Sequence, residues 1–172
     1  MTLLKSETVV FPGAVADGVR AAVQSTFASI CGGSLTLAPE PNPVAGGPGL
    51  VGIISFLGDV NWSFALGLPR DTVTALAARF AGFDIPFDSA DMCDVVGELA
   101  NVVAGDIVAQ LDARRLKAQM SLPMVARGSD LEVESPGNMA SLRVACRSPQ
   151  GPFWYRLAAA RSGGFLGRRP GT

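Results

Sequence analysis

Residues 89–113 read SADMCDVVGELANVVAGDIVAQLDA, the longest stretch of helical periodicity in the chain. Met92, Val95, Val96, Leu99, Val103, Ile107 and Leu111 recur at helical spacing and gather on one arc, the pattern of a core-facing surface. Asp94, Glu98, Asn101 and Gly105 fall within about 60° of one another on the opposite arc. Asp88 or Ser89 is placed to serve as N-cap, and Asp91 suits the positive end of the helix dipole. Arg114, Arg115 and Lys117 suit its C-terminal end. A helix anchored behind by this much apolar surface holds its outer row stiffly. Two carboxylates, a carboxamide and a glycine then face outward, and a Glu/Asn pair so held can bind a water and touch a partner.

Working outward, Val15, Val19, Ala22, Val23, Phe27 and Ile30 predict a helix over 12–30, stopped by Gly32-Gly33. Ser34–Ala38 reads as a short strand, and the Pro- and Gly-rich stretch 39–49 as a loop. Residues 50–57 and 60–68 predict a hairpin about Gly58-Asp59. In its second strand Val60, Trp62, Phe64, Leu66 and Leu68 share one face, with Asn61, Ser63, Ala65 and Gly67 on the other. A helix over 71–82 would turn Val73, Leu76, Ala77 and Phe80 inward. Beyond the long helix, strands are expected near 119–126 and 130–135, separated by Gly128, then a hairpin of 140–147 and 152–160 about Pro149-Gln150-Gly151. This order predicts an α+β fold, a mixed or largely antiparallel sheet with long helices packed on it. The expected organisation is a single domain over 1–160 and a flexible Gly- and Arg-rich C-terminal tail over 161–172. The two halves share a coarse helix-then-strands plan without a repeat of high identity.

Composition narrows the function classes. The 48% hydrophobic and 17% charged residues are those of a folded globular chain. A net charge of −1 with no basic block excludes a nucleic-acid footprint. The absence of an apolar run of about 18 residues argues against a membrane-spanning helix. Met1–Phe11 does not read as a signal peptide. Cys31, Cys93 and Cys146 are odd in number and widely spaced, so all three are expected as reduced, buried thiols of a cytoplasmic protein. There is no histidine, which removes Ser-His and Cys-His nucleophilic systems and most catalytic zinc sites. Any reaction must need little acid–base help, or the partner must supply it.

Glycine inside a helix costs about 1 kcal/mol relative to alanine, yet Gly97 lies at the edge of the outward row and Gly105 within it. The expectation is that bulk is kept away from Glu98 and Asn101 so that a partner's backbone can come close. The alternative is that Asp94, Glu98 and Asn101 are ordinary solvated helix residues.

Asp94-x-x-x-Glu98-x-x-Asn101 resembles the signature of the CheC/CheX/FliY phosphatases of bacterial chemotaxis. The stretch from Val96 to Gly105 is similar to the CheX helix, and Ser121-Leu122-Pro123 followed by Gly128 is similar to the strand start and turn of the same family. The resemblance is strong over about 88–130 and architectural elsewhere, and CheX is the nearest type. It implies a CheC-like fold and hydrolysis of the aspartyl phosphate of a CheY-like receiver domain. Asn101 would direct the water and Glu98 would pair with the receiver's lysine, with Asp94, Gly97 and Gly105 in support of docking. Mg²⁺ would sit on the receiver, and this chain would bind no cofactor or metal. An acyl phosphate is already activated, so the chemistry suits a chain without histidine. CheC-type members can carry the signature twice. Here the first helix has Asp17-x-x-x-Ala21-x-x-Gln24, so one active surface per chain is expected. The resemblance also makes a homodimer plausible and leaves a second reading open, a non-catalytic receiver-binding or flagellar-switch-like module. Trp62 and Trp154 are read as packing residues, and Arg168-Arg169 as part of a solubilising tail.

Overall fold

The structure, a computed structural model, describes residues 11–39, 47–136 and 139–160. The expected tail at 161–172, most of the 39–49 loop and the reading of the first ten residues lie outside these. Ten elements follow in order: α1 (Gly13–Cys31), β1 (Thr36–Pro39), β2 (Gly49–Gly58), β3 (Trp62–Pro69), α2 (Arg70–Ala81), α3 (Ala90–Ala113), β4 (Ala118–Met120), β5 (Met124–Gly128), β6 (Met139–Ser148) and β7 (Gly151–Ala160). The strands form one sheet in the order β1-β6-β7-β3-β2, with β4 and β5 both paired along the free edge of β2. Every pairing is antiparallel, so the fold is the predicted α+β arrangement at its antiparallel limit.

Local sequence sets most element ends. Gly32 and Gly82 close α1 and α2 with positive φ, 66° and 83°, and each backbone N–H returns to a carbonyl four residues back. The β6–β7 hairpin closes through Pro149-Gln150, where Ser148 Oγ accepts from the Gln150 N–H at 3.2 Å. At the β2–β3 turn Asn61 Oδ1 accepts from the Gly58 N–H at 3.2 Å.

The helices cover one face of the sheet. Val15, Val19, Val23 and Phe27 of α1, Val73 and Leu76 of α2, and Met92, Val96, Leu99, Val103, Ile107 and Leu111 of α3 form one core with Leu50, Ile54, Phe56, Phe64, Leu66 and Tyr155. Phe27 stacks on Phe153 with centroids 4.3 Å apart, and Phe56 on Trp62 at 4.2 Å. Helices α1 and α3 run antiparallel: the Thr26 hydroxyl donates to Asp106 at 3.2 Å, while Gly18 abuts Leu111. Helix α3 also comes very close to β2. A Cβ on Gly52 would stand 2.9 Å from that of Ala100, so glycine at 52 sets the depth at which α3 is seated.

Five expectations about the fold need correction, the first being the strand near 119–126, which residues 121–123 break into β4 and β5. Residues 130–135 form no strand; that segment covers the sheet face opposite the helices, where Leu131 and Val133 pack on Val51, Ala65 and Trp154. Both faces of β3 are therefore buried, against the alternation read from sequence. Phe80 is exposed rather than inward, because the inner face of α2 is filled by Val73, Leu76 and Ala77. The cysteines are free, but only Cys31 and Cys146 are buried, and Cys93 is half-buried.

Two tests follow from this packing. Gly52→Val places branched bulk against Ala100 and Val96, and should cost about 1–3 kcal/mol in denaturant unfolding. Burial pushes the thiol of Cys146 and the phenol of Tyr155 well up from 9.0 and 10.0, in each case against a smaller opposing pull from Arg20. Below pH about 9 neither state releases these protons. Above it the unfolded chain ionises while the native groups hold their protons, so unfolding sheds protons and stability falls as pH rises. Urea midpoints across the alkaline range should decline, and should decline less in Cys146→Ala.

Candidate functional site

Helix α3 is fixed along its length. At its start Ser89 is the N-cap, its Oγ accepting from the Met92 N–H at 3.2 Å. Arg127 on β5 donates to the carbonyls of Asp88, at 3.2 Å, and Ser89, and to Cys93 Sγ at 3.1 Å. Its guanidinium also lies 5.9 Å from the Phe87 ring centroid. The middle is seated on Gly52, and the second half is tied to α1 through Asp106. At its end the Leu116 N–H returns to the Leu111 carbonyl at 2.9 Å.

The exposed side of this fixed helix carries Asp91, Asp94, Glu98, Val102, Gly105, Ala109 and Asp112. Asn101 is half-buried, on the side of the row turned toward β4 and β5. Glu98 and Asn101 are one turn apart, so their Cβ atoms are neighbours about 5–6 Å from each other. Among the described residues, none hydrogen-bonds or ion-pairs with the side chains of Asp94, Glu98 or Asn101. The carboxamide and the carboxylate are held in place through their backbone and left with their polar atoms unspent.

The two glycines part company. Gly105 is exposed, and a Cβ there would meet nothing within 4 Å among the described residues outside its own helix backbone. Gly97 is buried, and a Cβ there would lie 3.7 Å from Pro123 Cγ and 3.8 Å from Val125 Cγ2. Gly97 thus faces the β4–β5 connection rather than open solvent, which corrects its expected place on the partner-facing side. Sequence reading placed residue 97 at the edge of the row, and only the position of β5 decides which side of that edge is covered.

That connection was not anticipated as part of the site. Ser121 is locked to β2 by two bonds: its N–H donates to the Ser55 carbonyl at 2.9 Å, and its Oγ accepts from the Ser55 N–H at 3.0 Å. Pro123 then turns in against Gly97, while Leu122 points out, 88% exposed. The signal was present in the Ser121-Leu122-Pro123 stretch, but sequence alone could not show it lying beside Glu98 and Asn101.

No group of three or more His, Cys, Asp or Glu side chains that could hold a metal occurs among the described residues, and no described helix is long and apolar enough to cross a membrane. Ser121 is committed to backbone bonds, so what the surface offers is an orientable amide beside a carboxylate.

The family model described as "Chemotaxis phosphatase CheX" matches residues 50–147, more than half of the chain. No curated sequence matches. Among solved structures, the chemotaxis protein CheX from Vibrio vulnificus is similar with a TM-score of 0.72 at 16% identity, covering 83% of this chain and 97% of that one. CheX in the CheX–CheY–BeF3–Mg²⁺ complex from Borrelia burgdorferi is similar with a TM-score of 0.70 at 19% identity, covering 86% and 98%. FliY from Thermotoga maritima is similar with a TM-score of 0.60 at 14% identity, covering 93% of each chain. At these identities the likeness is one of fold, the CheC-like fold expected from the sequence.

The position of Gly97 gives a direct test. Gly97→Ala puts a methyl in ordinary contact with Pro123 and Val125 and removes a helix-interior glycine, so thermal or urea unfolding should show stability unchanged or raised by up to about 1 kcal/mol.

Proposed function

The chain belongs to the CheX family of chemotaxis phosphatases, and from that premise we propose that it hydrolyses the aspartyl phosphate of a CheY-like receiver domain, with Asn101 orienting the attacking water and Glu98 docking the receiver. The observation that carries the proposal is the unspent state of Glu98 and Asn101 on a helix fixed at its start, middle and end. A carboxamide both donates and accepts. Asn101 can therefore accept a hydrogen bond from a water and turn its oxygen toward phosphorus without itself taking a proton.

The bond broken is the acyl phosphate P–O bond, and the bond formed joins the water oxygen to phosphorus. Phosphoryl transfer of this kind depends on positioning and charge stabilisation. Neutralisation of the phosphoryl oxygens falls to Mg²⁺ and the lysine of the receiver. Glu98, exposed at the centre of the row, would meet that lysine. Asp91 and Asp94 extend the same negative surface toward the N-terminus of α3 and support the approach of a cationic rim. A homodimer and a cytoplasmic location belong to the same proposal; light scattering at twice the monomer mass tests the former.

The experiment is the decay of acetyl-phosphate-charged CheY-type receiver from the same host, with Mg²⁺, in the presence and absence of this protein. Wild type should accelerate decay. Asn101→Ala should lower the saturated rate by about 10²-fold while receiver binding persists, the size of loss expected when a reacting group is mispositioned. Glu98→Ala should weaken binding. The structural likeness to FliY keeps a non-catalytic docking module as the rival reading. That reading predicts receiver binding without accelerated decay, and a silent Asn101→Ala. Unchanged decay with every CheY-type receiver of the host would sink the phosphatase reading.

A further inference from the structure

We propose that the receiver is gripped by an apolar collar around the Glu98/Asn101 pair, made by Leu122 and the open groove beside Gly105 on the β4–β5 side of α3 and by Val102 on the other. This inference rests on the phosphatase reading and names the part of the partner that the site takes: apolar side chains bordering the receiver's phosphorylation pocket.

Three observations carry it. The first is exposure. Leu122 is 88% exposed, Leu57 59% and Val102 44%. Leu122 is held out by a segment bonded twice to Ser55 and wedged by Pro123 against Gly97, so a large apolar side chain is displayed from a rigid mount.

The second is Gly105. It sits on the outward row four residues beyond Asn101, about 6 Å along the helix. Among the described residues, nothing beyond its own helix backbone and chain neighbours lies within 4 Å of the Cβ it lacks, so no packing among them asks for glycine at this costly interior position. Beside it, between α3 and the β2–β4 edge, opens a groove of about 610 Å³ lined by Leu57, Val108, Ala109 and Leu116, with Asp112 and Lys117 at the rim. A side chain at 105 would project toward the groove mouth.

The third is reach. A specific protein–protein contact covers about 800 Å² on each partner, a patch extending some 16 Å from its centre on simple area grounds. A receiver centred on Glu98 and Asn101 therefore lies over both Leu122 and Gly105. The row itself is graded to match: Asp91, Asp94 and Glu98 make its first half acidic, and Val102, Gly105 and Ala109 make the next stretch apolar. The acidic half suits a cationic side of the receiver pocket, and the apolar half calls for uncharged side chains on the other. Apolar contacts that exclude water around a polar centre strengthen the polar contacts within.

The test separates KM from kcat on acetyl-phosphate-charged CheY-type receiver of the host, with affinity for the beryllofluoride-charged receiver as a second readout. Leu122→Ser and Gly105→Leu should each raise KM about tenfold, the effect of losing one interface anchor, with kcat within about twofold. Their melting temperatures should not fall, because residue 122 is solvent-exposed and residue 105 opens onto free space. Gly105→Ala should raise the melting temperature by about 2–4 °C and still weaken binding of the beryllofluoride-charged receiver. If wild type is active and both Leu122→Ser and Gly105→Leu keep its KM and affinity, the collar is wrong while the phosphatase reading stands. If wild type neither binds nor dephosphorylates any host receiver, both fall together.

Discussion

The close approach of α3 to β2 is the constraint on which the site depends. At Gly52 the backbone of the strand meets Ala100 of the helix with no room for a Cβ between them. A residue on the inner arc of a helix and a residue on its outer arc are rigidly related. Fixing Ala100 against the sheet therefore fixes Asn101, one residue on, and Glu98, half a turn back. Buried Val96, Leu99 and Val103 hold the rotation of the helix, and Arg127 holds its N-terminal end to β5. Under the proposed function an amide aims a water with sub-ångström tolerance, and that task needs this kind of mount. The surface side chains themselves contribute little to holding it.

The topology shows why a long helix of this kind is available. The segments α1–β1–β2–β3 and α3–β5–β6–β7 have the same plan, and the sheet order β1-β6-β7-β3-β2-β5 is unchanged when the halves are exchanged. Helices α1 and α3 then pack antiparallel beside the pseudo-axis, as the Thr26–Asp106 and Gly18–Leu111 contacts record. Each half presents an outward row at the same spacing, Asp17, Ala21 and Gln24 on α1 against Asp94, Glu98 and Asn101 on α3. The scaffold is nearly symmetric, and the Glu/Asn pair sits on one side of it. At the position matching Glu98, α1 offers a half-buried methyl, which can make no ion pair with a lysine.

Most of this organisation was legible in the sequence because it is written in local signals. The apolar arc of α3, the Ser89 cap, the glycine stops at 32 and 82 and the two hairpins need no long-range information, and all appear within a residue or two of where periodicity and turn chemistry put them. What was misread depended on neighbours distant in sequence. Residues 130–135 have the composition of a strand but lie across the back of the sheet, because Val51, Ala65 and Trp154 leave an apolar face there to cover. The side on which Gly97 falls is decided by Pro123 and Val125 of an element 26 or more residues away. The exposure of Glu98 followed from helical geometry alone, whereas the half-burial of Asn101 did not, and Leu122 comes beside the pair only through the pairing of Ser121 with Ser55.

The proposed function asks a chain without histidine to hydrolyse an aspartyl phosphate, and the chemistry of that bond allows it. The leaving carboxylate of an acyl phosphate needs no protonation, so a general acid would add little. What limits the reaction is the improbability of a water in line with the P–O bond, near phosphorus and free of competing partners. Such an ordering problem is solved by position, and effective concentrations gained by position are large. An amide suits the task better than a carboxylate would. A negative side chain aimed at a phosphoryl group would meet the charge of its oxygens, while a neutral one can approach. Under the proposed function the same electrostatics would divide the labour in the row, with the charged Glu98 meeting a cation beside the phosphoryl group and the neutral Asn101 the water in front of it.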